Sequence, residues 1–396
     1  VGYANAGTSE FLVGGDGSFV FLEMNARLQV EHPVTELVLG RDLVADQIAI
    51  ADGAPLDELG LTQAAVEERL AAGGHAVEVR LNAEDPAREF LPSAGRVVAL
   101  RWPAGAAAFG PVGDTGVRVD AGIAEGDEVG GRFDPLLAKV IAMGSDRRVA
   151  LAALCDALDA TEVLGLATNL GFLRRLVRLP VVHDGLARIE TVEADDDVVE
   201  AARGDGASAP PSWAWLAAAR ALALAAGAGG AWGGGWRPNG PAVLRLAASW
   251  GDGTVEQSVA VGDATGGAAK PLVAVDGPVA HVSVDGASIA FRLAAPPDLA
   301  AAASRAALAS SSGTAVAPGL VRSPMPGMVV AVHVAPGGAV GAGDPIATVE
   351  AMKMEHVVRA PGAARVEAVL VREGEQVERG RALARLGPAS GGGEQP

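Results

Sequence analysis

Residues 319–388 carry one pattern of apolar and glycine positions twice. The first copy is Val332, Val334, Gly337, Val340, Gly343, Ile346 and Val349. The second is Val369, Val371, Gly374, Val377, Gly380, Leu383 and Leu386, every pair offset by 37 residues (332 to 369). Two segments alike in pattern fold alike and bury their apolar faces against each other. The copies are rich in β-branched residues, with glycines where turns must fall. They predict a small all-β unit, a flattened barrel or sandwich with approximate two-fold symmetry. Between them lies Glu350-Ala351-Met352-Lys353-Met354-Glu355. The strand at Pro345–Val349 ends here and another begins near His356, which puts Lys353 at a hairpin tip. Most loop lysines are merely solvated. Here the symmetric position and the flanking methionines Met352 and Met354, unusual at an exposed turn, mark Lys353 as a modification site.

A second pattern lies near the N-terminus. Residues 23–31 read Glu23-Met24-Asn25-Ala26-Arg27-Leu28-Gln29-Val30-Glu31. In an extended chain the polar odd positions share one face. A half-buried edge strand would give the same alternation. Carboxylates and an amide are, however, hard oxygen ligands for magnesium, and a guanidinium suits an oxyanion, so a metal–phosphate site is the competing reading.

The rest of the chain sets these segments in order. Residues 1–195 mix strand patterns (Phe19–Met24, Ala76–Asn82) with helical ones (Arg41–Ala51, Val149–Leu158, Leu170–Val177). Residues 196–211 turn acidic and then Gly/Ser/Pro-rich, as a linker does. Residues 212–295 predict a helix from Trp213 to Ala226 followed by a small antiparallel barrel, with strands at Val243–Leu246, Val255–Val261, Val279–Val284 and Ile289–Leu293. Residues 296–318 read as a flexible tether and 389–396 as a disordered tail. The class is multidomain α+β.

The formal net charge of −17 argues against nucleic acid and anionic membrane as partners. The apolar run from Trp213 is interrupted by Arg220 and is too short to span a bilayer. Cys155, the one cysteine, is expected in a helix core and suits a reducing cytoplasm. Val1 falls inside a motif-rich segment, so the N-terminus is read as a truncation.

The Ala-Met-Lys-Met string, its place between the repeats and the preceding Pro326-Gly327 turn resemble the biotinyl carrier family. Lipoyl domains share that fold but lack the flanking methionine pair. The resemblance implies biotin on Lys353, attached by a biotin protein ligase. Glu23 to Glu36, with Gly7-Thr8-Ser9-Glu10-Phe11 before it, resembles the C-terminal part of the ATP-grasp domain of biotin carboxylase. The segment from His75 to Asp85 resembles the start of that enzyme's C-terminal subdomain. Together they suggest the α subunit of a biotin-dependent acyl-CoA carboxylase, of the acetyl-, propionyl- or 3-methylcrotonyl-CoA type.

The resemblance implies a boundary near residue 60, with the carboxylase C-terminal subdomain over 61–195 and a subunit-docking domain over 212–295. It assigns Glu10, Glu23 and Asn25 to magnesium (or manganese) on ATP. Arg27, Gln29 and Val30 fall to bicarbonate, Glu31 to the general base and Arg80 to the biotin enolate. His32 and His75 are read as structural. The implied reaction is ATP-dependent carboxylation of biotin with bicarbonate. Transfer to an acyl-CoA on a separate carboxyltransferase β subunit would follow, in a hetero-oligomer of fatty acid or branched-chain amino acid metabolism. A non-enzymatic alternative is a carrier and docking module. The truncated chain alone is expected to be inactive.

Overall fold

The computed structural model describes residues 2–110, 112, 116–188, 191, 209–226, 236–237, 240–250, 253–261, 271–295, 319–351 and 354–388. The linker, tether and tail expected at 196–211, 296–318 and 389–396 lie wholly or largely outside them, as do Met352 and Lys353.

The N-terminal part opens with strands β1 (Thr8–Val13) and β2 (Phe19–Asn25), which among the described residues pair only with each other. Helix α1 (His32–Leu39) follows, opened by Pro33 in its first turn and closed by Gly40 at φ 62°. This is the proline-first, glycine-last grammar of helices. Helices α2 (Leu43–Ala51) and α3 (Gln63–Ala71) come next, each capped by a side chain, Asp42 and Thr62.

The second part is a three-stranded antiparallel sheet in the order β3 (His75–Asn82), β5 (Leu136–Gly144), β4 (Gly116–Ala121). Helix α4 (Arg147–Ala160) lies on it. Asp146 caps α4 by accepting from the Val149 amide at 2.9 Å, and Ala150, Leu151, Leu154, Ala157 and Leu158 form its buried stripe. Cys155 is partly buried beside that stripe, packed on the same core as helix α5 (Leu170–Leu176).

The third part is helix α6 (Ser212–Ala225) on an antiparallel sheet. The strands are β6 (Gly240–Trp250), β7 (Gly253–Val261), β8 (Val273–Asp276), β9 (Val279–Val284) and β10 (Ala287–Leu293). Pairing runs from Trp236–Arg237 through β6, β10 and β9 to β8, with β7 on β6. No pairing closes this path among the described residues. The helix packs on the sheet, with Trp215 buried edge-on against Phe291 at 4.9 Å.

The fourth part is two four-stranded antiparallel sheets. One orders β11 (Leu320–Arg322), β18 (Ala382–Pro388), β16 (Ala364–Val369) and β13 (Ala339–Val340). The other orders β15 (Met354–Arg359), β14 (Pro345–Ala351), β12 (Gly327–Val332) and β17 (Gln376–Val377). Val329, Ile346, Val349, Val366, Leu383 and Leu386 meet in one core between them. Gly337 and Gly374 take left-handed φ of 87° and 80° at matching turns. A Cβ on Gly327 would lie 2.3 Å from the Glu350 carbonyl oxygen, so only glycine lets β12 approach β14 so closely.

Candidate functional site

Strands β1 and β2 pair with Glu10 opposite Glu23 and Thr8 opposite Asn25. The Asn25 amide donates to Glu10 Oε1 at 2.9 Å and to Glu23 Oε1 at 3.0 Å. Its oxygen accepts from Arg27 Nη2 at 3.2 Å. A flip of the amide would turn that oxygen toward the two carboxylates, giving a set of hard oxygen donors of the kind magnesium or manganese takes. Among the described residues no group of three or more His, Cys, Asp or Glu is arranged to hold a metal ion.

The polar row is not one extended strand. β2 stops at Asn25, residues 26–31 form a bend and turn, and α1 starts at His32 with Glu31 at its N-cap. The period-two alternation therefore reports strand geometry only as far as Asn25. Side-chain bonds carry the row onward: Arg27 also donates to Gln29 Oε1. Glu31 turns away and forms an ion pair with Arg80 of β3. Both partners are about half exposed, so the pair contributes little stability. Its interest is that it joins the row to the three-stranded sheet. The Val30 carbonyl accepts from Lys139 Nζ at 3.4 Å.

Beneath this junction lies a buried charge network. Arg118 of β4 donates to Asp120 through Nε and Nη2, both at 2.7 Å, and to Glu36 of α1 at 2.6 Å. Glu36 also accepts from the Leu43 amide at 2.7 Å, tying α1 to α2. Lys139 of β5 lies 3.2 Å from Asp120. Glu78 of β3 faces the same network, and neither of its buried carboxylate oxygens has a hydrogen-bond partner. Burial pushes its pKa up to about 7, with Lys139 and Arg118 opposing and Asp120 adding to the rise. The sequence places Glu78 on a polar face beside Arg80; the structure sinks it below that face. Arg118, Asp120 and Lys139 are missed by sequence reasoning. The Arg-Val-Asp alternation inside β4 was the available signal.

His32 Nδ1 contacts the Gln29 carbonyl at 2.7 Å and His75 Nε2 contacts Arg147 at 3.3 Å. The first is local in sequence; the second joins β3 to α4. In the fourth part, Ala351 pairs with Met354, so β14 and β15 are joined through Met352 and Lys353. Met354 is exposed. Lys353 and Met352 are outside the described residues.

Three families match successive parts of the chain. Residues 1–59 match the carbamoyl-phosphate synthase L chain ATP-binding domain, residues 78–194 the biotin carboxylase C-terminal domain, and residues 319–386 the biotin-requiring enzyme domain. The propionyl-CoA carboxylase alpha chain of Ruegeria pomeroyi is 45% identical over 47% of this chain and 28% of its own length. Methylcrotonoyl-CoA carboxylase subunit alpha of Dictyostelium discoideum is 30% identical over 97% of this chain and 58% of its own length. The biotin-dependent acyl-coenzyme A carboxylase alpha3 subunit of Mycobacterium leprae is 33% identical over 97% of this chain and 54% of its length. The chain thus spans little more than half of the relatives it matches throughout. Among solved structures, the biotin carboxylase domain of a thermophilic 2-oxoglutarate carboxylase bound to bicarbonate is 35% identical. It covers 50% of this chain and 41% of that one, with a TM-score of 0.44.

Proposed function

We propose, from the premise that this chain belongs with the α subunits of biotin-dependent acyl-CoA carboxylases, that it supplies part of the biotin carboxylase site and the whole biotin carrier. The homologues are biotin-dependent carboxylases. In this reading residues 1–60 are the C-terminal part of an ATP-grasp domain and residues 61–195 the carboxylase C-terminal subdomain. Residues 212–295 dock a carboxyltransferase β subunit, and residues 319–388, a two-fold unit, carry biotin on Lys353. We place the protein in the cytoplasm; among the described residues no helix is long and apolar enough to cross a membrane.

The observation that carries the carboxylase part is the chain of contacts from Glu10, Glu23 and Asn25 through Arg27 and Gln29 to the Glu31–Arg80 pair. Glu10, Glu23 and Asn25 would hold a divalent metal, whose charge would offset that of the ATP phosphates. Arg27 pairs bicarbonate, with Gln29 and Val30 beside it. Glu31 takes the bicarbonate proton, the anion attacks the γ-phosphate, the bond to the β-phosphate oxygen breaks, and ADP leaves as carboxyphosphate forms. Arg80 then offers its charge to the oxygen where negative charge develops. Carboxyphosphate releases carbon dioxide and phosphate, and the phosphate can take the ureido N–H proton; biotin, when bound, would supply the nitrogen that accepts the carbon dioxide, and a tethered carrier would keep its effective concentration at the site high.

Lys139, Lys270 and Lys353 are the chain's lysines, so the carrier assignment can be tested exhaustively. The chain is co-expressed with a biotin ligase and probed with streptavidin. Lys139→Ala and Lys270→Ala keep the signal, and Lys353→Ala abolishes it. A signal that survives Lys353→Ala ends the assignment.

A further inference from the structure

Helix α1 lies on one face of the three-stranded sheet of the 75–183 unit. Leu37 supplies the apolar part of that contact, against Ala76, Ile141 and Met143. Around it the same face is charged. Alternation puts Glu78 and Arg80 of β3, Lys139 of β5, and Arg118 and Asp120 of β4 on one side of the sheet. Lys139 stands directly opposite Arg80 on one flank and Asp120 on the other. Like charges facing each other across strands repel, and Lys139 has lost most of its water, with 13% of its side chain exposed. A cation so placed needs nearby groups that offset its desolvation.

Two groups answer that charge. Asp120 Oδ2 lies 3.2 Å from Lys139 Nζ, and the Val30 carbonyl oxygen lies 3.4 Å from it. Val30 belongs to the turn that leads from β2 into α1. Its neighbour Glu31 pairs with Arg80. Two cations side by side on the sheet thus hold two consecutive residues of the turn, one by its backbone and one by its side chain. The far half of α1 is held as well: Arg118 donates to Asp120 at 2.7 Å and to Glu36 at 2.6 Å. Val30, Lys139, Asp120, Arg118 and Glu36 therefore form a ring that the backbone of α1 closes. With both ends tied, α1 moves on the sheet only by breaking buried charge-assisted contacts.

We propose that Lys139 is a positioning residue of the carboxylation site: through the Val30 carbonyl it fixes the turn at residues 26–31, and with it the direction in which Glu31 faces. The Glu31–Arg80 pair does not suffice for this, because both partners are about half exposed and such pairs hold weakly. Lys139 is anchored on a buried carboxylate instead. A displacement of about 1 Å can cost a reaction about a hundredfold, so a turn outside any strand needs such a tether if its carboxylate is to meet a small anion. Lys139 acts through Val30 and Glu31, not on the reacting atoms. Its bearing on the reaction rests on the bicarbonate reading of Arg27, Gln29, Val30 and Glu31; the tether itself does not.

The test is amide hydrogen exchange on the full chain, without ATP. The His32 and Val34 amides donate to the Gln29 and Glu31 carbonyls and report on the turn. In Lys139→Met, which keeps the length and removes the donor, both exchange about fivefold faster, the factor that one net hydrogen bond gives. Val140 and Ala142 of β5 keep their wild-type rates. Lys139→Arg, which keeps the charge and the donors, restores the protection. Because Lys139→Met leaves the buried Glu78 without a nearby cation, the comparison is repeated with Glu78→Gln, so that loss of folding does not mask the result. Unchanged exchange in Lys139→Met, a loss shared by Val140 and Ala142, or no recovery in Lys139→Arg would overturn the tether. Bicarbonate is then added and the Gln29 and Val30 amide shifts are followed. They move in the wild type and in Lys139→Arg, and several-fold less in Lys139→Met; equal responses in wild type and Lys139→Met would overturn the positioning role. Wild-type amides that ignore bicarbonate would remove the bicarbonate reading, while exchange still decides the tether.

Discussion

Glu78 is a carboxyl group in the wrong solvent. Its oxygens are buried without hydrogen bonds and its pKa stands near 7 rather than the ordinary 4.5. A raised carboxyl pKa means that the folded state holds the proton more tightly than the unfolded one. The associated stability is present below about pH 4.5 and is lost as pH rises through 7. Urea midpoints of the 75–183 unit in the full chain should therefore fall between pH 5 and pH 8. Glu78→Gln, which keeps the shape without the charge, should flatten that fall by up to about 3 kcal/mol. Equal slopes for wild type and variant would show that Glu78 is solvated in the native state. The catalytic candidates were legible because their residue types are costly to place without a reason. The buried network was not. Arg118, Asp120 and Lys139 look like surface charges in sequence, and only the packing of α1 and β3 around them removes their water.

At the scale of elements, periodicity is informative where one geometry persists. Val279–Val284 and the strand through Ala76–Asn82 read correctly because each runs as a full strand. The row from Glu23 to Glu31 alternates across a strand, a turn and a helix cap, so one period described three geometries. The short strand Val273–Asp276 carries no distinctive pattern in the sequence. The 37-residue repeat is stronger evidence, because the two copies place their buried residues alike: Val329 with Val366 and Ile346 with Leu383, each 1% exposed or less. Residues 319–388 have a core of their own and should fold and accept biotin as an isolated fragment. In it, Val329→Ala and Val366→Ala should each cost about 2 kcal/mol. Denaturant melts followed by circular dichroism check this. An unfolded fragment, or one substitution harmless and the other severe, would remove the symmetric reading.

The molecule as a whole has one surface that its own described residues leave bare. Phe11, Leu12, Val13, Phe19, Val20, Phe21 and Leu22 of the β1–β2 hairpin are between 49% and 73% exposed. Phe11 meets Phe19 and Phe21 edge-on, at 5.9 and 5.7 Å, yet no third strand or helix covers them among the described residues. A two-stranded sheet is marginal in water, and an apolar patch of this kind marks an interaction surface. The same hairpin holds Glu10, Glu23 and Asn25, so the proposed metal site sits on its least supported element. A cation held by these carboxylates attracts a triphosphate weakly in open water and far more strongly where solvent is excluded. With its hairpin exposed, this protein should therefore show no bicarbonate-dependent ATP hydrolysis, and the hairpin should bind a hydrophobic dye. Phe11→Ser with Phe21→Ser should reduce dye binding without shifting the melting of the 75–183 unit, since those rings touch none of its core. Phosphate release and dye fluorescence on the same preparation decide the matter. Bicarbonate-dependent turnover by this chain, or dye binding indifferent to both substitutions, would mean that the hairpin is already covered and the site complete.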